Sequence, residues 1–148
     1  MRIALTAATL AIACTMVGAV AGCSSPPPVK PQPGTLVIGT AEVTVNDANA
    51  GSTNAVACTA AGPLTTITTG DAQSGVTALV SNKGELTAES VSINNLGGFT
   101  GSYNAGLGGE ATVTMTGRTY AITGTADGFA TDNPSFRANG TFAIKVAC

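Results

Sequence analysis

Between Thr35 and Cys148, short runs of apolar and β-branched residues alternate with Thr, Ser or Lys at period two, and this rhythm limits the fold more than anything else in the chain. The runs are TLVI at 35–38, EVTV at 42–45, AVAC at 55–58, VTALV at 76–80, SVSI at 90–93, ATVTM at 111–115, YAIT at 120–123 and FAIKV at 142–146. Alternation of this kind is the mark of strands with one buried face. Asn82-Lys83-Gly84 and Thr116-Gly117-Arg118 read as hairpin connections. Asn94-Asn95-Leu96-Gly97-Gly98 and Asn104-Ala105-Gly106-Leu107-Gly108-Gly109 read as longer, looser loops. No amphipathic run is long enough for a helix, and only one short turn around Gly70-Asp71-Ala72-Gln73 is expected. The fold class is therefore all-β: a small antiparallel two-sheet sandwich or barrel-like domain over residues 35–148.

Composition then removes whole classes of function. The chain has no His, which excludes Ser-His-Asp, Cys-His and His-zinc chemistry. A net charge of −2 leaves no basic footprint for nucleic acid. The core has to come from Val, Ile, Leu and Ala, with Phe99, Tyr103, Tyr120, Phe129, Phe136 and Phe142 as the large fillers.

The first 22 residues read as an address. Met1-Arg2 supplies a positive charge, an apolar run follows from Ile3 to about Val20, and small residues close it. The run approaches the ~18 residues of a membrane span, but Thr6, Thr9 and Thr15 interrupt it and it ends in Val20-Ala21-Gly22-Cys23. That tetrapeptide resembles a bacterial lipobox. The resemblance implies cleavage between Gly22 and Cys23, an S-diacylglycerol on the Cys23 thiol and an N-acyl chain on its freed amine. The alternative is an ordinary signal peptide with an accidental Cys. Two or more acyl chains hold a protein durably, where one does so only marginally.

Residues 23–34 form the next unit, an acylated N-terminus and a Pro-rich tether with five of the seven prolines. Such a stretch favours polyproline II and spans roughly 30–35 Å. A spacer explains the prolines better than an SH3-type docking motif does.

With Cys23 taken by lipid and Cys14 inside the removed leader, Cys58 and Cys148 remain, and pairing is the default in an exported, oxidising setting. The bridge closes a loop of roughly 90 residues, worth about 4–5 kcal/mol in the chain-entropy model. A free redox thiol is the competing reading, but there is no CxxC and neither Cys has a basic neighbour.

Several segments together resemble the mycobacterial LpqH-type lipoprotein antigen family. They are the lipobox, Val56-Ala57-Cys58-Thr59-Ala60-Ala61-Gly62, Gly97-Gly98-Phe99 with Tyr103, Tyr120-Ala121-Ile122-Thr123-Gly124-Thr125-Ala126, and the ending at 142–148. Cys58 and Cys148 sit where that family places its pair. The resemblance implies a non-catalytic, envelope-anchored surface antigen whose acylated N-terminus is read by host Toll-like receptor 2. It implies no enzyme activity and no cofactor. Members often carry a Thr-rich mannosylated tether, and Ser24 to Gly34 contains no Thr, so mannosylation is not expected here.

Other chemistries are weaker. Glu42, Asp47, Asp71, Glu85, Glu89, Glu110, Asp127 and Asp132 are the acids outside the leader. Asp127 with Asp132-Asn133 is the densest oxygen cluster, but it lacks EF-hand spacing and reads as turn chemistry, so no metal is expected. Asn139-Gly140-Thr141 matches a glycosylation sequon and reads first as a turn. A lipid or glycolipid carrier is the alternative function. A two-carboxylate hydrolase would need paired acids in a cleft.

Overall fold

The computed structural model describes Lys30 and residues 32–148, so the leader, Cys23 and most of the tether lie outside the described residues. Ten strands form one antiparallel sheet: β1 (Ala41–Val45), β2 (Ala48–Thr53), β3 (Val56–Ala61), β4 (Leu64–Gly70), β5 (Gly75–Ser81), β6 (Thr87–Leu96), β7 (Phe99–Asn104), β8 (Ala111–Thr116), β9 (Thr119–Ala130) and β10 (Arg137–Ala147). Their order is β2-β1-β10-β9-β7-β6-β5-β4-β3, with β8 added beside β9. The described residues form no helix.

The long strand β9 is the branch point. One edge pairs with β10 along its length. The other is shared, with β8 against its first half (Thr119 to Gly124) and β7 against Asp127 to Ala130. Two sequence-distant hairpins thus meet on one strand, and the sheet curls about it. The ends of the path, β2 and β3, are joined by only Asn54 and Ala55, so the sheet bends until those ends meet at a corner. Register shifts at Val43/Thr44, Leu79/Val80 and Ile93/Leu96 supply the curvature, since a bulge raises local twist. The result is a barrel-like, nearly closed all-β domain.

The inward positions of β1, β4, β5, β6, β9 and β10 fill this curl. Val45, Ile67, Val80, Val91, Ile93, Ile122, Ile144 and Val146 are essentially inaccessible to solvent. Leu contributes nothing to the fully buried set, contrary to expectation, and the largest fully buried side chains are all β-branched, with alanines filling the smaller gaps. Of the six aromatics, Phe99, Tyr103 and Phe142 are buried, whereas Phe136 is 69% exposed in the β9–β10 loop.

Four expectations need correction. Residues 35–38 form no strand: Val37 and Ile38 are 69% and 61% exposed, and the segment is held by single bonds, Leu36 N–H to Thr119 Oγ1 and Gly39 N–H to the Ala147 carbonyl. Residues 94–98 are no loose loop. Strand β6 runs on to Leu96, and Gly97-Gly98, with φ of 57° and 73°, makes a two-residue hairpin to Phe99. Glycine takes two consecutive positive φ values at least cost, and the β1–β2 turn does the same with Asn46-Asp47, the side chains that best tolerate that region.

Asn139-Gly140 is not a turn but the middle of β10, paired with Asp127 and Ala126. A Cβ on Gly140 would lie 2.8 Å from the Phe99 ring, and one on Gly101 2.6 Å from it, so the ring fills the space that two strand glycines leave. Finally, β2, β4 and β7 are strands that the alternation had not marked. The hairpins at Asn82-Lys83-Gly84 and Gly117-Arg118 stand as expected.

Candidate functional site

Residues that alternate inward in the core place their neighbours outward, and the register aligns those neighbours. Thr68 of β4 faces Thr77 of β5, which faces Ser92 of β6, which faces Ser102 of β7, which faces Asp127 of β9, which faces Asn139 of β10. All six are exposed. With neighbouring strands ~4.8 Å apart, the row from Thr68 to Asp127 extends roughly 19 Å.

This row crosses the floor of a groove of about 790 Å³ on the outer face of the sheet. One wall is the β4–β5 loop. There Asp71 Oδ1 accepts hydrogen bonds from the N–H groups of Gln73 (2.8 Å) and Ser74 (2.9 Å), closing an Asx-type turn. Those two donors, Gln73 first, hold the Asp71 carboxyl below its ordinary pKa. The loop is tied to β6 because Ser74 Oγ donates to the Asn95 carbonyl and Asn94 Nδ2 to the Ala72 carbonyl. The other wall carries the half-buried Phe129 of β9, next to Thr100, whose Oγ1 accepts from Asn95 N–H. No Lys or Arg lines the groove.

Of the residues singled out from sequence, Cys58 and Cys148 form a disulfide, with Cα atoms 5.9 Å apart. It ties the edge strand β3, whose residues are mostly exposed, to the end of β10. Cys148 N–H also donates to the Arg118 carbonyl, and Thr35 lies against Gly117. The start of the domain, the β8–β9 turn and the bridged terminus therefore share one corner. Gly22 and Cys23 lie outside the described residues.

Asp127 lines the groove, while Asp132 and Asn133 sit in the β9–β10 loop. Among the described residues no three Asp, Glu or Cys gather as metal ligands. Sequence reasoning missed the hydroxyl row. Each member is an ordinary outward residue, and only the cross-strand register brings them together.

Comparison with known proteins supplies the lineage. Residues 34–148 match the model of the Mycobacterium 19 kDa lipoprotein antigen. The chain is 37% identical over 142 residues to a protein of Mycobacterium indicus pranii described as a lipoprotein, covering 95% of this chain and 97% of that one. It is 34% identical over 108 residues to Lipoprotein LpqH of Mycobacterium tuberculosis H37Rv, covering 72% and 68%. It is 38% identical over 94 residues to Lipoprotein LpqH of Mycobacterium avium, covering 63% and 58%.

Proposed function

The chain belongs to the Mycobacterium 19 kDa lipoprotein antigen family, and from that membership we propose a non-catalytic, lipid-anchored antigen on the outer face of the cell envelope. Residues 1–22 are a lipoprotein signal peptide. Cleavage after Gly22 leaves Cys23 with an S-diacylglycerol and an N-acyl chain, and residues 23–34 space the barrel from the headgroups. The acylated N-terminus is the part that host Toll-like receptor 2 reads.

The observation that carries this reading is the family match, which begins at residue 34, where the Pro-rich segment ends. The interior adds support. Isoleucines and valines fill it to near-zero exposure, and the groove of about 790 Å³ is open, polar-floored and on the outside. A domain built this way suits presentation better than carriage of a lipid tail, which needs an enclosed apolar cavity.

The test is expression of the full chain and its Cys23→Ser variant in a mycobacterial host. The wild-type protein partitions with membranes, its N-terminal peptide carries the mass of the acyl chains, and it stimulates receptor-2 reporter cells. Cys23→Ser appears in the aqueous fraction and is silent. Membrane retention of that variant overturns the anchor, and undiminished signalling overturns the receptor assignment.

A further inference from the structure

We propose that the outer groove crossed by the Thr68–Thr77–Ser92–Ser102–Asp127 row is a binding site for a neutral, extended glycan. Its volume of about 790 Å³ is of ligand-site size. Its chemistry selects the ligand. Asp71 and Asp127 are the charged side chains that line it, so phosphate, sulfate and anionic headgroups are repelled. The hydroxyls of Thr77, Ser92 and Ser102 each offer one donor and two acceptor positions, the pattern that complements a polyol.

Among the described residues, none of these three hydroxyls nor the Asp127 carboxylate has a hydrogen-bond partner in the protein. The facing hydroxyls on the neighbouring face behave otherwise, since Thr112 Oγ1 and Thr123 Oγ1 pair at 2.9 Å. Thr77, Ser92, Ser102 and Asp127 thus form a line of solvent-facing groups that can exchange water for a ligand, repeating every ~4.8 Å, close to the size of one sugar ring. At its end stands the Phe129 ring, half-buried and in the groove wall, an apolar platform for the C–H face of a pyranose. The rims are fixed before a ligand arrives, because the Asp71 turn and the Ser74 and Asn94 bonds hold the β4–β5 loop to β6.

The site needs neither Cys23 nor its lipid, so its fate is separate from that of the proposed anchor. The experiment uses the full-length protein in a zwitterionic detergent without a sugar headgroup, titrated with maltoheptaose, cellohexaose and a linear α-mannan oligosaccharide, with inorganic polyphosphate as the anionic control. Amide and methyl NMR shifts report the position of binding. The expected result is saturable shifts confined to the row and Phe129 with at least one neutral glycan, and none with polyphosphate. Affinity falls at least tenfold in Thr77→Val/Ser92→Ala and in Asp127→Asn, and it is unchanged in Thr112→Val. All of these positions are exposed, and melting curves check that each variant folds. Absence of saturable shifts with all three glycans overturns the proposal. So do shifts that survive both groove variants, and so does preferential binding of polyphosphate.

Discussion

Two places hold the curled sheet together, and they do it by opposite means. At the seam where β7 and β10 flank β9, the Phe99 ring occupies the space left by Gly101 and Gly140, and the junction is made by close packing. At the opposite edge, β3 buries little of its surface, and a covalent bond between Cys58 and Cys148 ties it to β10. A glycine-rich strand can be stabilised by a neighbour's ring because the missing side chain is replaced by another residue's carbon. A strand with mostly exposed residues has no such resource, and a cross-link limits what the unfolded chain can explore instead.

The contrast is open to direct attack. Cys58→Ser with Cys148→Ser has the largest expected effect. Loss of the long loop closure removes about 4–5 kcal/mol, read as a fall in Tm of roughly 15 °C or more. Reduction of the native protein reproduces it, and an unchanged melting curve would show that the edge needs no staple. Phe99→Ala follows, at about 3–5 kcal/mol by denaturant titration, because it empties the slot that two glycines made.

Gly140→Ala is smaller, about 1–3 kcal/mol from overpacking against the ring. The sharper measurement is the double variant: in a Phe99→Ala background the Gly140→Ala cost shrinks toward zero. Additive costs would mean that ring and glycine do not act together. The smallest effect lies at Asp71. Its carboxyl is held below the ordinary value by the Gln73 and Ser74 N–H groups, so its contribution is present above the unfolded carboxyl pKa and fades as pH falls through the folded one. In Asp71→Ala the acid limb of the stability–pH curve becomes shallower than in the native protein, and identical limbs would remove the turn from the account.

Where a strand buries one face with branched residues, its sequence declares it, as in VTALV at 76–80 and FAIKV at 142–146. The edge strand ANAGST at 48–53 carries no such mark because almost nothing in it is buried. The Thr-rich β4 shows it only weakly. Asn139-Gly140 misleads for a different reason: locally it is turn chemistry, and only a ring contributed by β7 makes glycine the right residue inside a strand. The disulfide followed from counting thiols and asking which of them lipid and cleavage leave over. The groove is illegible in one dimension, since its floor comes from five strands and its existence depends on how bulges set their alignment.

That β1 pairs with β10 has a consequence for the order of events in making the protein. The strand near the start of the domain has to wait for one at the domain's far end, and such remote pairing is slow to form. A polypeptide that cannot close its barrel early stays in a threadable state for longer, which suits the export that we propose for this chain.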